Sequence, residues 1–252
     1  MSDGIYTALS GSIARAHEVD LIANNLANAN TPGYKRDLGT FQEYLTEARR
    51  PEAVVDPGAR PEGSQSLVEL DGIYTDYRQG SLQRTSRPLD LALDGPGFFE
   101  VSTPAGVRYT RQGNFTLDAT GRLVTANGFP VVSAGSSSEI RLARLPMRIA
   151  EDGNIWQDGK AVARVSVREF AEPQRLEKSG NSYYRDTGAK PMPDAPRTRL
   201  VQGFIEGSNV NPVSEMTRLI EATRAYESHL QAIRTYQEIE GRAASGIAGI
   251  RP

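Results

Sequence analysis

The chain has 252 residues, of which 38% are hydrophobic and 24% charged, and a formal net charge of −2. This length allows one large domain or two smaller ones, and the apolar content is sufficient for a core. Balanced charge gives no general attraction for nucleic acid or an anionic membrane. A chain with no cysteine and two histidines excludes disulfides, thiol catalysis and multi-histidine metal sites. We therefore expect no cofactor, no metal and no catalytic residue.

The N-terminal segment predicts an amphipathic helix from about Asp3 to Asn28. Apolar residues recur at spacings of three and four, as they do on one face of a helix. The apolar positions are Ile5, Leu9, Ile13, Ala16, Val19, Ile22, Ala23 and Leu26. Pro32 and Gly33 then stop the helix, because proline cannot continue the hydrogen-bond ladder and glycine allows the chain to reverse.

The C-terminal segment predicts a second amphipathic helix. Asn211 suits the N-cap, Pro212 the first helical position, and Glu215 the first turn, where the helix dipole favours a negative charge. Its apolar stripe consists of Val213, Met216, Leu219, Ile220, Thr223, Tyr226, Leu230 and Ile233. Gly241 is predicted to end the helix. Because an isolated helix of this length is marginal in water, each stripe must pack on the other helix, on neighbouring copies, or on both.

Between the helices the hydrophobic pattern changes to a period of two. Leu89, Leu91 and Leu93 alternate with polar or small residues, and Asp152-Gly153 and Asp158-Gly159 are hairpin signals. The predicted fold is therefore mixed and mainly β, with an antiparallel barrel or sandwich between two long terminal helices that pack together and with neighbouring subunits. The predicted division is residues 1–34 for the N-terminal helix and its signature, 35–75 for an extended or irregular linker, 76–205 for the β domain, and 206–252 for the C-terminal helix.

An asparagine-rich run falls within and just after the first helix. Asn24, Asn25, Asn28 and Asn30 lie within seven positions, although asparagine is a poor helix former. One explanation is a fraying helix end, where asparagine often caps. The other is that buried amides form hydrogen bonds across packed helices and fix their register.

Four ordered segments resemble bacterial flagellar rod and hook proteins. They are residues 23–34 (ANNLANANTPGY), 80–99 with the run RPLDLALDGPGFF, 109–125 with YTRQGNFTLD and GRLVT, and 202–210 (QGFIEGSNV). The resemblance implies a non-enzymatic structural protein of the periplasmic rod in the flagellar basal body, with helical ends inside a tube and β domains outside. Implied partners are copies of the chain, other rod proteins and the flagellar export apparatus. No nucleic acid, small-molecule substrate or membrane insertion is implied.

The helical stripes and the resemblance together assign a set of residues to packing between subunits. The set is Ile5, Leu9, Ile13, Ala16, Val19, Ile22, Ala23, Asn24, Asn25, Leu26, Asn28, Asn30, Gly33, Tyr34, Glu206, Gly207, Asn209, Val210, Met216, Leu219, Ile220, Tyr226, Leu230 and Ile233. The N-terminus carries an acid, Asp3, and no base before Arg15, and lacks the apolar run of a secretory signal. The chain is therefore expected to stay in the cytosol or to leave it by a route that needs no cleaved signal peptide. The resemblance to flagellar rod proteins implies the second, with export through the flagellum's own channel.

Two alternatives remain open at this point. Within the family, the segments 209–213 and 240–243 resemble the proximal-rod members most, and distal-rod or hook-type axial members are the alternative. From a different class, a glycan-binding module or hydrolase on a β-sandwich would rest on Asp90, Asp94 and Glu100 beside Phe98 and Phe99. A catalytic site needs convergent groups, however, and not merely acids that are near in sequence.

Overall fold

Two long helices flank a strand-rich middle in the computed structural model, which describes residues 2–46, 65–135, 138–143, 145–192 and 195–248. The helices are α1 (Ser2–Ala27) and α2 (Pro212–Ala248). The strands are β1 (Asp37–Thr46), β2 (Gln65–Thr75), β3 (Leu82–Arg84), β4 (Leu91–Asp94), β5 (Phe98–Thr103), β6 (Gly106–Thr110), β7 (Thr116–Leu117), β8 (Leu123–Val124), β9 (Met147–Ile149), β10 (Asn154–Gln157), β11 (Lys160–Arg164), β12 (Val167–Phe170), β13 (Leu176–Lys178), β14 (Tyr183–Asp186), β15 (Pro191–Met192), β16 (Arg199–Gln202) and β17 (Phe204–Glu206). The prediction of a mainly β chain with a helix at each end is confirmed.

The described residues divide into two compact units. The helical unit contains α1, α2 and the two-stranded sheet of β1 and β2. The β unit contains residues 27–36 and 75–211. The two strands of the helical unit fall in the segment 35–75, which is predicted to be a linker. Its three prolines lie between positions 51 and 61, so they leave residues 37–46 and 65–75 free to pair as strands. Residues 47–64 lie outside the described part of the chain.

In the helical unit, α1 and α2 run antiparallel. A Cβ atom placed on Gly11 of α1 would lie 2.9 Å from Cε1 of His229, so the imidazole fills the space that glycine leaves. Further along, Arg15 and Glu18 of α1 line one groove with Arg218 of α2, so residue numbers fall along α2 as they rise along α1. The buried face of α1 is correspondingly small and is made by Ala8, Gly11, Ser12, Ala14, Ile22 and Asn25.

The predicted end of α2 at Gly241 is wrong, because the helix continues to Ala248. One glycine in a helix interior costs only about 1 kcal/mol, and the good helix formers Glu240, Arg242 and Ala243 surround it. Its start at Pro212 is as predicted.

Replacing Gly241 with alanine is expected to stabilise α2 by up to about 1 kcal/mol, since alanine restricts the unfolded chain more. A Cβ atom there would meet no atom of the described structure within 4 Å. The thermal midpoint followed by helical circular dichroism measures the effect. Gly11→Ala is the control and should gain less, because the His229 ring must move. A Gly241→Ala protein that melts earlier than wild type would contradict the prediction.

The β unit is built on a six-stranded antiparallel sheet in the order β13-β14-β6-β5-β12-β15. Among the described strands, none pairs with the outer edge of β13 or of β15 in this sheet, so the sheet is an open half-barrel. A second sheet has the order β11-β10-β9. Its β10–β11 hairpin turns at Asp158-Gly159, whose φ angles of 48° and 72° give the predicted two-residue turn. Three short pairs, β16-β4, β17-β3 and β7-β8, complete the described strands.

Both faces of the central sheet are buried, and two successive aromatic residues show it. Phe98 and Phe99 are adjacent on β5, so their side chains point to opposite faces. Phe98 packs in an aromatic group with Tyr109, Phe170 and Tyr184. Phe99 belongs to the main core, whose members are Leu91, Leu93, Phe99, Val101, Phe115, Leu123, Val131, Ile140, Leu142, Ile149, Ile155, Val165, Tyr183 and Leu200.

Candidate functional site

The apolar stripe predicted for α1 divides between two faces of the helix. Ile22 is fully buried, whereas Leu9 and Ile13 are 43% and 53% exposed, together with Tyr6 at 55%. The other stripe residues are half-buried, apart from exposed Ala23: these are Ile5, Ala16, Val19 and Leu26. One side of α1 therefore packs within the subunit, and an apolar patch on another side remains exposed.

The first turns of α2 show the same division. Val213, Met216 and Ile220 are 75%, 51% and 55% exposed, although Ala222 is buried. Further predicted stripe residues are half-buried, namely Leu219, Thr223, Tyr226, Leu230 and Ile233. The first turns of α2 therefore also present large apolar side chains at the surface.

The asparagines of the run differ in burial and in the hydrogen bonds that they make. Asn25 is fully buried, and its amide accepts a hydrogen bond from Asp37 N (2.9 Å) and donates one to Asp37 O (2.8 Å). These two hydrogen bonds hold the start of β1 against α1. Asn28 accepts from the Thr31 hydroxyl at 3.2 Å, as a residue at a helix end does. Asn24 and Asn30 have exposed side chains.

A buried ion cluster lies inside the β unit around Glu206; we call it the Glu206 cluster. Lys35 Nζ lies 2.6 Å from Oε1 of Glu206, and Arg111 Nη1 lies 3.2 Å from Oε2. The side chains of all three are at most 1% exposed. The backbone N of Gly80 also donates to Oε1, at 2.8 Å. Two cations and one carboxylate therefore share a dry site whose stability depends on geometry and hydrogen bonds.

The two cations use their remaining donors within the same unit. Lys35 Nζ donates to the carbonyl of Arg78 at 2.7 Å, and Arg111 Nη2 donates to the carbonyl of Gly95 at 2.7 Å. The Arg111 guanidinium also lies 4.9 Å from the centre of the Phe98 ring, a cation–π contact. Nε of Arg111 is buried without a hydrogen-bond partner in the described structure.

All four segments that carry the flagellar resemblance meet at this cluster. Residues 23–34 lead directly into Lys35, and the 80–99 segment supplies the Gly80 amide and the Gly95 carbonyl. The 109–125 segment supplies Arg111, and the 202–210 segment supplies Glu206. The shared signature therefore encodes a structural junction of the β unit.

Glycine is required at two positions near the Glu206 cluster where backbone segments come close together. The backbone N of Gly33 donates to the carbonyl of Glu206 at 2.8 Å, and its φ of 67° is in the left-handed region. A Cβ atom on Gly33 would lie 2.4 Å from the carbonyl carbon of Arg111. At Gly80 it would lie 2.0 Å from the carbonyl oxygen of Gly207. No side chain fits at either position without moving backbone.

Several residues assigned to packing between subunits make contacts within one subunit. Gly33, Tyr34, Glu206 and Val210 are buried, and Gly207 and Asn209 are half-buried. Asn209 Oδ1 accepts from the backbone N of Arg36 at 2.8 Å, and its Nδ2 donates to Asp76 O at 2.8 Å. Lys178 Nζ lies 4.3 Å from the centre of the Tyr34 ring. The four buried residues therefore have contacts within the subunit, and their role in packing between subunits stays a prediction.

Lys35 and Arg111 are functional residues that the sequence analysis missed. Long basic side chains are exposed in most proteins, so a lysine or arginine carries no sequence signal of burial. The available signal was positional, since both residues lie in or next to segments that resemble the family.

Burial lowers the pKa of the Lys35 ammonium to about 8, which the attraction of Glu206 offsets only in part. Arg111 adds to the lowering by repulsion, and Asp76 opposes it. The unfolded chain binds the Lys35 proton more tightly than the folded protein does. Between pH 8 and the ordinary lysine pKa of 10.5, this group therefore makes stability rise with pH.

We expect the Lys35 contribution to the rise in stability with pH to disappear when Lys35 is replaced by methionine, which has a similar length and no charge. The free energy of unfolding in urea, measured at pH 7.5 and 9.5, should increase more for wild type than for Lys35→Met. Taking the difference between the two proteins removes the contribution of the groups that both proteins share. Equal pH dependence in both would contradict the prediction.

The acids behind the glycan or hydrolase alternative do not converge on a site. Asp90 is buried and accepts two hydrogen bonds from Arg87, at 2.9 and 2.6 Å. Glu100 is buried and accepts from the Ser166 hydroxyl at 2.6 Å and from Arg168 at 2.9 Å. Asp94 is exposed. Each buried carboxylate is thus held by partners of its own, as in a structural ion pair.

The described residues contain neither a candidate metal site nor a helix that could span a membrane. Among them there is no group of three or more histidines and acids placed to hold a metal ion. No helix in the described ranges has both the length and the apolar character needed to cross a membrane.

Three family profiles match the chain at both ends and in the middle. Residues 5–35 match the family described as "Flagella basal body rod protein". Residues 92–162 match "Flagellar hook protein FlgE/F/G D1 domain", and residues 201–246 match "Flagellar basal body rod FlgEFG protein C-terminal". The first and last regions include most of α1 and α2. The three matched regions contain Lys35, Arg111 and Glu206, the charged residues of the Glu206 cluster.

Individual relatives match over nearly the whole length. A flagellar basal-body rod protein FlgF from Caulobacter vibrioides is 35% identical, over 99% of this chain and 100% of its own. A FlgF from Mesorhizobium japonicum is 32% identical over 93% of both chains. A flagellar basal-body rod protein FlgG from Bacillus subtilis is 33% identical, over 95% of this chain and 97% of its own. The chain therefore belongs to the family of flagellar basal-body rod proteins.

Proposed function

We propose that the chain is a structural subunit of the flagellar rod, which assembles axially in the periplasm and transmits torque from the motor to the hook. The observation that carries the proposal is the exposed apolar surface on both terminal helices. Leaving such side chains in water forgoes about 1.5–3 kcal/mol for each one that could be fully buried, so the helices favour association. A drive shaft needs many packed contacts between subunits and no catalytic site. This agrees with the buried carboxylates of Asp90 and Glu100, which are each held in structural ion pairs.

The proposed partners are copies of this chain, neighbouring rod proteins and, during secretion, the flagellar export apparatus. Half-buried and exposed residues of the predicted packing set remain available for the first two. On α1 these are Ile5, Leu9, Ile13, Ala16, Val19, Ala23, Asn24 and Leu26, and on α2 Met216, Leu219, Ile220, Tyr226, Leu230 and Ile233. Membership of the rod family supports export through the flagellum's own channel, without a cleaved signal peptide.

Within the family, we assign the chain to the proximal-rod type, because segments 209–213 and 240–243 resemble that type most. Relatives named FlgF and FlgG match at similar identity, so a distal-rod or hook-type axial subunit is the competing assignment. A map of the isolated basal body by electron cryomicroscopy, traced to side chains, tests it. Density for this chain at the motor end of the rod supports the assignment, and density at the hook end overturns it.

The rod proposal itself is tested by placing charge in the exposed patch of α1. A strain whose own gene is deleted is complemented with the double variant Leu9→Asp/Ile13→Asp. Both side chains are exposed, so the folded subunit should survive, while burial of two carboxylates against a neighbour would be unfavourable. We expect loss of rod, hook and motility.

The matched control is Ser228→Asp/Gln231→Asp, which adds the same two charges at exposed positions of α2. It should restore rods and motility. Circular dichroism of both purified proteins checks that they fold. Normal rods and swimming in the Leu9→Asp/Ile13→Asp strain would rule out this surface as an assembly surface.

A further inference from the structure

An asparagine–glycine pair lies in an exposed turn of the β unit, directly after β8. Asn127 is the one asparagine of the sequence that a glycine follows. Ala126, Asn127 and Gly128 are all exposed. The pair combines an electrophile, the side-chain amide carbon of Asn127, with a backbone nitrogen that no Cβ atom on Gly128 shields. The turn is therefore a candidate site for a reaction that needs only water.

The native turn holds the nitrogen of Gly128 in a hydrogen bond. Three residues join Thr125 to Phe129, and the backbone N of Thr125 donates to the carbonyl of Phe129 at 2.9 Å. Within this loop the backbone N of Gly128 donates to the carbonyl of Thr125, also at 2.9 Å. The φ angle of Gly128 is 82°, as expected for the left-handed glycine of a three-residue hairpin loop. The nitrogen next to the Asn127 amide is thus engaged in the turn.

The turn is also anchored to the main core of the β unit. Thr125 is 2% exposed, and its hydroxyl oxygen accepts from the backbone N of Phe129 at 3.2 Å and from the Tyr183 hydroxyl at 2.9 Å. The rings of Phe129 and Tyr183 pack edge to face, with their centres 5.6 Å apart. Tyr183 itself belongs to the main core. Opening the turn therefore requires the loss of buried contacts, which makes the open state rare in the folded protein.

We propose that Asn127 is a site of spontaneous deamidation, and that the native turn suppresses the reaction until the chain unfolds. The backbone N of Gly128 loses its proton to solvent base and attacks Cγ of Asn127. The new C–N bond closes a succinimide ring, and the bond from Cγ to the amide nitrogen breaks and releases ammonia. Water then opens the ring at either carbonyl and leaves aspartate or isoaspartate at this position. The site does not depend on the proposed rod function.

The two products differ in their effect on the turn. Aspartate keeps the path of the backbone, whereas isoaspartate carries the backbone through the former side chain and adds one methylene group to the loop. The hydrogen bonds between Thr125 and Phe129 belong to a loop of three residues, because loop length sets the register of a hairpin. A chain that gains isoaspartate while unfolded should therefore form a less stable β unit.

The test compares deamidation in the folded and the unfolded full-length protein. Both are incubated in the same mildly alkaline buffer, without and with urea, and then digested with trypsin. The tryptic peptide of residues 123–141 contains one asparagine and no glutamine, so its mass gain reports Asn127 alone. We expect the reaction to be at least about tenfold faster in urea, which corresponds to an opening free energy of about 1.4 kcal/mol or more.

Three controls separate the turn from other causes. A synthetic peptide of residues 123–141, incubated under the same two conditions, corrects for the direct effect of urea. Asn127→Gln should stay unmodified in urea, since its longer side chain would have to close a larger ring. Thr125→Val keeps the side-chain shape but removes the hydroxyl that Phe129 and Tyr183 use. In this variant, shown to be folded by circular dichroism, Asn127 should deamidate several-fold faster than in folded wild type.

Two results would overturn the proposal. Equal rates in buffer and in urea, after correction with the peptide, would show that the turn gives no protection. An unmodified Asn127 in the unfolded chain would remove the site altogether. The expected effect on stability has its own comparison, between the separated isoaspartate form and Asn127→Asp, which carries the same charge on an unchanged backbone. The isoaspartate form should melt at the lower temperature, and equal thermal midpoints would contradict the role given to the backbone.

Discussion

Replacing Glu206 with glutamine is expected to lower the free energy of unfolding of the β unit by about 3–5 kcal/mol, the cost of leaving buried charge uncompensated. The side-chain volume hardly changes, but Lys35 and Arg111 lose the carboxylate that lies 2.6 and 3.2 Å from them. Since domains are stable by about 5–15 kcal/mol in all, the variant should be close to unfolded in mild urea. Equilibrium denaturation followed by tyrosine and tryptophan fluorescence measures the loss.

Glu177→Gln is the matched control for Glu206→Gln. Glu177 also pairs with an arginine, Arg185 at 2.5 Å, but both side chains are more than half exposed. Exposed pairs contribute about 0–1 kcal/mol, so this variant should unfold almost as wild type does. Similar losses in the two variants would show that the Glu206 cluster is not specially important. Adding Lys35→Met to Glu206→Gln should recover part of the loss, because one uncompensated cation is removed.

Replacing Gly113 with alanine is expected to cost about 4 kcal/mol or more, at the extreme of single substitutions. A Cβ atom on Gly113 would lie 1.6 Å from the carbonyl oxygen of Leu91. That residue is fully buried in the main core, and its backbone N donates to the carbonyl of Gly113 at 2.9 Å. The clash is with backbone, so β4 itself must move. Soluble yield and thermal midpoint measure the effect.

Gly128→Ala separates this steric cost from backbone strain. Gly128 has a φ of 82°, which an L-residue adopts at a cost of about 1–2 kcal/mol. A Cβ atom there meets no described atom within 4 Å. We expect a modest loss for Gly128→Ala and a much larger one for Gly113→Ala. If the two proteins melt together, the close approach to Leu91 is not what fixes glycine at position 113.

The elements with a strong local signal were predictable from the sequence. The predicted helix from Asp3 to Asn28 is α1, Ser2–Ala27, because a long 3.6-residue period and a Pro-Gly stop define both ends. The start of α2 was predictable because Pro212 is tolerated only in a first turn. The strands β1 and β2 were missed, because the prolines between them dominated the composition of the whole segment.

The division of the helices into two apolar faces was not predictable from spacing alone. Steps of three and four residues drift around a helix, so Leu9 and Ile22, thirteen residues apart, differ by about 140°. One of them is exposed and the other fully buried. The Glu206 cluster could not be predicted from the sequence for a different reason. Its members are distant in sequence, and a buried charge has the same letter as an exposed one.

The Glu206 cluster also makes the compact β unit depend on a complete chain. Lys35 and Glu206 are separated by 171 positions, and the carboxylate belongs to the last strand before α2. A chain that stops before residue 206, through early termination or proteolysis, places two cations in a dry interior without their counterion. Such a fragment should remain open and be degraded, because open chains are the substrates of proteases. We therefore expect subunits truncated before residue 206 to be less stable than the complete chain.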